Sequence, residues 1–138
     1  MSIINKHLVL HNNIEQISLL ADFIDCLAEE AGIDPSLAMS MNLALEEAVT
    51  NVVLYAYPEG TDGTVEIDAE ADGSVVTFTI TDKGVAFDPT QKEDADITLS
   101  VEERPIGGLG IFLVRQIMDS VTYERVADQN VLSMKKNL

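Results

Sequence analysis

Three short segments, far apart along the chain, carry residue types that can bind a nucleotide. The first contains Glu47 and Asn51, which on an α-helix would place a carboxylate and a carboxamide one turn apart on the same face. The second, Asp82 to Pro89, places a carboxylate at the end of a predicted strand, with a glycine turn after it. The third opens an apolar helix with a glycine-rich turn, Gly107, Gly108, Leu109 and Gly110. We predict one nucleotide site if the fold brings these segments together.

The second and third segments suit the two ends of a nucleotide. Asp82 can only accept hydrogen bonds, so it would accept from the exocyclic amine of adenine and repel the carbonyl of guanine. Gly84 would let the backbone approach the ring closely. The N–H groups of Gly107, Gly108 and Gly110 carry partial positive charge at a helix start and would hold the phosphates. Each motif alone also fits an ordinary turn or a loop hinge, so the prediction depends on their combination.

Glu47 and Asn51 suit the reacting end of the nucleotide. Asn51 offers a neutral oxygen to Mg²⁺, which keeps several waters and takes few protein ligands alongside phosphates. Glu47 could act as general base on the group that attacks the γ-phosphate. The pair also fits a solvated helix face, and we assign the neighbouring Glu46 to solvent. A P-loop and a dinucleotide-binding βαβ fingerprint are both missing from the sequence, which excludes those two enzyme classes.

Composition indicates one acidic domain. A chain of 138 residues suits a single hydrophobic core. Its 24 acidic and 8 basic residues give a formal net charge of −16, so we expect no direct binding of nucleic acid, whose phosphates attract Lys and Arg. A basic protein partner fits this charge, and so does an acidity that serves only solubility. Cys26 is the single cysteine, so no intrachain disulfide can form.

The hydropathy of the chain gives no sign of a membrane. The N-terminus lacks the charged and then apolar layout of a signal peptide. No apolar run approaches the roughly 18 residues that span a bilayer. We therefore expect a cytoplasmic protein without membrane contact.

Hydrophobic periodicity predicts three helices and five strands. The first helix should be capped by Asn13 and end at Gly32, the second should run from Pro35 to about Ala56, and the third should cover about 111–118. Strands are predicted at about 4–10, 65–70, 76–81, 121–126 and 131–134. A tight turn at Asp72-Gly73 should join one hairpin, and a turn around Asp128-Gln129-Asn130 should join the last.

This order of elements favours an α+β fold. We expect a two-layer α/β sandwich, with a mixed, mostly antiparallel sheet and the helices on one face. The stretch from Pro89 to Arg104 is polar and aperiodic, which is typical of a functional or disordered loop. We predict that it forms a mobile lid over the site.

The three segments, in this order, resemble the N, G1 and G2 boxes of the GHKL (Bergerat-fold) ATPases. The nearest resemblance is to the anti-sigma factor serine/threonine-protein kinase group, through Leu45 to Asn51, Asp82 to Pro89 and Gly107 to Val114. It extends over roughly Leu8 to Met134. The resemblance implies a single histidine-kinase-like ATPase domain over 1–138, with a mobile ATP lid at about 89–106.

The same resemblance implies a function and assigns residue roles. Members of this group bind ATP and Mg²⁺, hold a sigma factor and phosphorylate a serine or threonine of a STAS-type antagonist protein. By position, Glu47 is similar to the catalytic base, Asn51 to the magnesium ligand and Asp82 to the adenine-binding aspartate. The turn of Gly107, Gly108, Leu109 and Gly110 is similar to the phosphate loop, and Arg104 is expected to contact the γ-phosphate. Members are often dimers, so a homodimer and a monomer are both open.

One position departs from the group, and two alternatives follow from the motifs. The N box commonly ends in His-Ala/Gly-Tyr, whereas this chain has Tyr55-Ala56-Tyr57, so no role of that histidine carries over. An ATP-gated protein-binding module without phosphotransfer would show the same motifs. The catalytic domain of a two-component histidine kinase shares the fold, but we expect no phosphoacceptor histidine hairpin in this chain.

Overall fold

The computed structural model describes residues 3–58, 60–91 and 108–138, which form a five-stranded sheet covered by helices. The spatial order of the strands is β1-β2-β3-β5-β4. Their bounds are Ile4–His11 (β1), Thr64–Ala71 (β2), Val75–Asp82 (β3), Ser120–Val126 (β4) and Gln129–Asn137 (β5). The α+β prediction is confirmed, but the four pairings between these strands are all antiparallel rather than mixed.

Alternation of apolar and polar residues decides which face of the sheet is buried. In β2, Val65, Ile67 and Ala69 are buried, and the acidic residues between them are not. In β3 the buried residues are Val76, Phe78, Ile80 and Asp82. Asp82 therefore lies in phase with an apolar strand, which turns its carboxylate toward the helical side of the sheet.

Within the described residues, three α-helices cover the buried face of the sheet. They are α1 (Leu19–Ala31), α2 (Pro35–Asn51) and α3 (Gly108–Ile117). Helix α2 packs against both of the others, and the apolar faces of the helices share one core with the inner face of the sheet. Leu27, Leu45 and Ile111, one from each helix, are almost fully buried in it. This arrangement is the predicted two-layer sandwich.

The ends of α1 follow the predicted signals with one difference. Asn13 does act as a cap, since its Oδ1 accepts a hydrogen bond from the Glu15 backbone N–H at 3.0 Å. The cap opens a 3₁₀ helix, Ile14–Ser18, before α1 begins. Gly32 ends α1 in the left-handed conformation, with a φ of 67° that favours glycine.

The second helix does not remain α-helical to Ala56, as the sequence predicted. It is α-helical to Asn51 and continues as a π-helix over Val52–Ala56. Two β-branched valines open this turn, and such side chains crowd an α-helical turn. The wider turn ends where the Ala56 carbonyl accepts a hydrogen bond from the Val85 N–H at 2.7 Å. A π-turn inside a helix often marks a functional site.

The last hairpin turns one residue earlier than predicted. Its two central residues are Ala127 and Asp128, with φ values of 50° and 64°, between the paired residues Val126 and Gln129. Such a two-residue turn needs positive φ at both positions, which alanine adopts rarely, so the sequence signal for this turn is weak. Asn130 consequently lies in β5 rather than in the turn.

The predicted lid falls mostly outside the described residues. Within them, Pro89–Gln91 forms a short 3₁₀ helix at its start. The rest of the lid, including Arg104, and also Gly107, lie outside the described residues. In the parts of the chain that are described, no helix combines the length and apolar character needed to cross a bilayer.

Candidate nucleotide-binding site

Asp82 ends β3 as a buried carboxylate with one oxygen engaged. Its Oδ1 accepts hydrogen bonds from the Gly84 backbone N–H at 2.8 Å and from Asn130 Nδ2 at 2.9 Å. The residue is 3% exposed, and no hydrogen bond from the described residues reaches Oδ2. Burial raises the pKa of this carboxyl, while the two hydrogen bonds and the Arg125 guanidinium act in the opposite direction. Asp82 can therefore offer Oδ2 to a donor, as the adenine prediction requires.

A close contact with the Ala56 backbone explains why residue 84 is a glycine. A Cβ at this position would lie 2.2 Å from the carbonyl oxygen of Ala56, closer than any side chain tolerates. The next residue, Val85, donates its N–H to that same oxygen. The close approach of the Gly84 backbone to the adenine ring stays a prediction. What the structure shows is a close contact between the loop and the end of the π-helix.

Two side chains from the second half of the N box hold the loop after β3. The Tyr55 ring stacks on the Phe87 ring with centroids 5.4 Å apart. The Tyr57 hydroxyl donates to the Thr64 carbonyl at 2.7 Å and accepts from the Lys83 N–H at 3.0 Å. Burial raises the pKa of Tyr57, so this hydroxyl stays protonated. The loop is thus held against the helix on both sides of Gly84.

Asn130 is a site residue that sequence reasoning assigned to a turn. Its Nδ2 donates to Asp82 Oδ1 and to the Val85 carbonyl, the latter at 2.8 Å. Its Oδ1 accepts from the Phe87 backbone N–H at 3.2 Å and from Tyr123 Oη. No local sequence pattern predicted this role, because it arises from the β3–β5 register, in which Asn130 stands directly opposite Asp82.

Glu47 and Asn51 both lie on α2, where Glu47 is half-buried and Asn51 is buried. Asn51 is 3% exposed, and its Oδ1 has no hydrogen-bond donor within the described residues. Glu47 is half-buried, and burial, followed by repulsion from Glu46, raises its pKa. A buried amide oxygen without a donor is costly unless a ligand uses it.

The donor set around Asn51 fits Mg²⁺ bound mainly by phosphates and water. Within the described ranges, no group of three or more His, Cys, Asp or Glu side chains could hold a metal ion by itself. Magnesium in nucleotide sites takes one or two protein oxygens and completes its shell with phosphate and water. Asn51 Oδ1, which has no donor among the described residues, could supply one such oxygen. The described residues around Asn51 therefore fit a Mg²⁺ ion that is held mainly by phosphates and water.

Glu46 was assigned to solvent, and this assignment is wrong. The residue is half-buried, and its Oε1 accepts a hydrogen bond from Asn42 Nδ2 at 3.1 Å. Its backbone carbonyl also accepts from the Thr50 hydroxyl. Asn42 lies one turn before Glu46 on the same face of α2, so the two side chains pair there.

The third segment begins α3. Gly108, Leu109 and Gly110 form the first turn of this helix, and Gly107 precedes it outside the described residues. Ile111 and Val114 are buried in the core, and α3 packs on α2, which carries Glu47 and Asn51. The free N–H groups of a helix start favour phosphate.

Direct contacts join the elements that carry the three segments. The π-helix that follows the first segment meets the second through the Val85–Ala56 hydrogen bond and the Tyr55–Phe87 ring pair. Thr90, the residue after the second segment, accepts a hydrogen bond at its carbonyl from the Arg115 guanidinium of α3, the helix that the third segment opens. Helices α2 and α3 pack on each other. The elements that carry the three segments therefore lie against one another in the described part of the fold.

Comparison with known proteins agrees with this arrangement. A family model described as a histidine kinase-like ATPase domain matches residues 10–136. Serine/threonine-protein kinase BtrW of Bordetella bronchiseptica is 29% identical over 98 residues, covering 71% of this chain and 69% of the relative. Serine-protein kinase RsbW of Listeria monocytogenes is 30% identical over 111 residues, covering 78% and 71%. An anti-sigma F factor of Clostridium beijerinckii is 30% identical over 93 residues, covering 66% and 65%.

A solved structure shares the fold. The crystal structure of the RsbU and RsbW domains of a Mycobacterium tuberculosis protein superposes with a TM-score of 0.68 over 96% of this chain. The identity is 16%, so this likeness concerns the fold alone. This chain spans 32% of that longer chain.

Proposed function

Because the chain belongs to the histidine kinase-like ATPase family, we propose that it is an ATP-dependent kinase that phosphorylates a serine or threonine of a partner protein. The observation that carries this proposal is the packing together of the elements that bear the three segments, with two acceptors, Asp82 Oδ2 and Asn51 Oδ1, that receive no hydrogen bond from the described residues. The first suits the amine of adenine, and the second suits the magnesium that accompanies the phosphates.

The partners are proposed from the relatives. Proteins similar to this chain are named serine-protein kinases and an anti-sigma F factor. We propose that this protein phosphorylates a STAS-type antagonist and holds a sigma factor or similar regulator in the cytoplasm. The net charge of −16 supports a basic partner surface and disfavours direct binding of nucleic acid.

The residues divide the task as follows. Asp82 Oδ2 accepts from adenine, Asn51 Oδ1 would hold Mg²⁺, and the first turn of α3 faces the phosphates. When bound, Mg²⁺ neutralises charge on the phosphate oxygens. Arg104 is proposed to contact the γ-phosphate. These groups bind and orient the nucleotide, and Glu47 accepts the proton of the attacking hydroxyl.

Phosphotransfer needs one proton acceptor. The serine or threonine oxygen forms a bond to the γ-phosphorus, the bond from that phosphorus to the bridging oxygen breaks, and ADP leaves. The Glu47 carboxylate accepts the hydroxyl proton. Burial raises the pKa of Glu47, which makes its carboxylate a stronger base than that of an exposed glutamate.

The experiment is incubation with γ-labelled ATP and Mg²⁺, with and without purified STAS-type proteins from the same organism. The proposal expects label on a serine or threonine of one of these proteins. Tight ATP binding without transfer to any of them would support the ATP-gated binding module instead. Failure to bind ATP would contradict both functions.

A further inference from the structure

Asn130 has no hydrogen-bonding capacity left for a ligand. A carboxamide nitrogen has two hydrogens. One is donated to Asp82 Oδ1 at 2.9 Å and the other to the Val85 carbonyl at 2.8 Å. The residue is 4% exposed. The Asn130 side chain can therefore affect a nucleotide only through Asp82 and Val85, which accept its hydrogen bonds.

The orientation of this amide is fixed by its neighbours. Three donors converge on Asn130 Oδ1: the Phe87 backbone N–H at 3.2 Å, the Tyr123 hydroxyl and Arg125 Nη1 at 3.2 Å. Rotating the amide by half a turn would place its NH₂ group against these donors and its oxygen against two acceptors. The network thus sets which atom of Asn130 faces Asp82.

The hydrogen bond from Asn130 orients the Asp82 carboxylate and favours its charged form. Gly84 and Asn130 both bond Oδ1, so they turn Oδ2 away from themselves. Burial favours the protonated acid, whereas a donated N–H favours the carboxylate. Among the described residues, the other ionisable groups that influence this carboxyl are Arg125 on β4, which favours its charged form, and Tyr57, which stays neutral.

We infer that Asn130 is the positioning residue through which the site selects adenine, because its amide keeps Asp82 an acceptor. This inference rests on the proposed ATP binding. A carboxylate oxygen accepts from the exocyclic amine of adenine. A protonated acid could instead donate to the carbonyl that hypoxanthine and guanine carry at the same ring position. Without the Asn130 donor, Asp82 can therefore also bind hypoxanthine or guanine.

The test compares binding of ATP and inosine triphosphate, each with Mg²⁺, by wild-type protein and by Asn130→Leu. Leucine keeps similar volume and removes the donor. We expect the preference for ATP to fall about tenfold at neutral pH, the effect of losing one hydrogen bond to a charged group. The fall should be larger at mildly acidic pH, where the unsupported carboxyl takes up its proton.

Tyr123→Phe is the matched control, because it removes one donor to Asn130 Oδ1 and leaves the bond to Asp82 in place. The inference expects weaker binding of both nucleotides at most, with the wild-type preference unchanged. If Asn130→Leu does not fold, Asn130→Ala replaces it, since alanine also has no side-chain donor for Asp82.

Two results overturn the inference. One is a wild-type preference for ATP retained by the folded Asn130 variant at both pH values. The other is an equal change of preference in Asn130→Leu and Tyr123→Phe, which a general loosening of the network would produce. Failure of the wild-type protein to bind ATP would instead contradict the proposed function.

Discussion

The Tyr55 ring stacks on the Phe87 ring, with 5.4 Å between centroids and 28° between planes. Tyr55 belongs to the π-helical turn that follows Asn51, and Phe87 belongs to the loop that follows Asp82. In the anti-sigma kinase group that this chain resembles, a histidine is common where Tyr55 stands. Here that position joins the proposed magnesium-binding helix to the proposed adenine-binding loop.

Removing the Tyr55 ring should loosen this junction. In Tyr55→Ala we expect the free energy of unfolding to fall by about 1–3 kcal/mol, from the lost ring pair and the space it leaves. ATP affinity should fall with it, because the loop positions Asp82. Chemical denaturation and ATP titration measure the two effects. Tyr55→Phe is the control that keeps the ring, and equal behaviour of the alanine and phenylalanine variants would contradict a role for stacking.

Gly84 should not tolerate a side chain. The Cβ of Gly84→Ala would lie 2.2 Å from the Ala56 carbonyl oxygen, so the loop must move and the Val85–Ala56 hydrogen bond must lengthen or break. We expect a loss of about 1–3 kcal/mol in the free energy of unfolding. Val85→Ala, at an adjacent side chain that is 52% exposed, should change it little. A Gly84→Ala protein as stable as wild type would show that the contact is not tight.

Local patterns predicted most of the fold. Alternation located the strands around Ile67 and Phe78, because a sheet with one covered face imposes a period of two. Gly32 predicted the end of α1, since few other residues adopt its conformation. The π-helix was not predicted, because periodicity does not distinguish it from one more α-helical turn. The turn at Ala127-Asp128 was missed because neither residue is typical of positive φ.

Site residues were predictable where a motif carried them. Glu47, Asn51 and Asp82 were identified from spacing and resemblance; they lie on α2 and at the end of β3, the elements predicted to carry them, and their roles stay predictions. Asn130 was not, because its role arises from a pairing across 48 residues that no local pattern encodes. The burial of Glu46 was missed for a similar reason, since it depends on how α2 lies in the fold.

Replacing Asn51 should abolish Mg²⁺-dependent ATP binding without destabilising the protein. Its buried Oδ1 has no donor within the described part of the chain, so Asn51→Leu removes an uncompensated polar group. We expect the nucleotide-free variant to be as stable as wild type or about 1 kcal/mol more stable. Its Mg²⁺-dependent ATP binding should be lost. Thermal unfolding and ATP titration with and without Mg²⁺ measure both quantities, and unchanged Mg²⁺ dependence would remove Asn51 from the metal site.

Glu47 should control the rate of transfer and its pH dependence. Glu47→Gln is expected to bind ATP and to lose phosphotransfer, because the amide cannot accept the hydroxyl proton. Burial raises the folded-state pKa of Glu47 above the ordinary value of 4.5, so the wild-type rate should fall as pH decreases through that raised pKa. Glu46→Gln is the neighbouring control and should retain transfer. Transfer at the wild-type rate in Glu47→Gln would contradict the assignment.

Partner binding should depend on salt if the acidic surface recognises a basic protein. Interactions between exposed charges are screened over about 8–10 Å at physiological ionic strength. With a net charge of −16, this protein should bind such a partner more weakly as NaCl is increased, mainly through slower association. Surface plasmon resonance over a salt series measures this. An affinity independent of salt would indicate that the acidity serves solubility alone.

The central claim is that the three segments form one adenine nucleotide site, and calorimetric titration with Mg²⁺ and ATP tests it most directly. We predict saturable binding of one ATP per chain by the wild-type protein and at least about tenfold weaker binding by Asp82→Asn. Asp68→Asn changes an exposed carboxylate on the neighbouring strand and should bind like wild type. Absence of binding by the wild-type protein, or equal binding by all three proteins, would contradict the account.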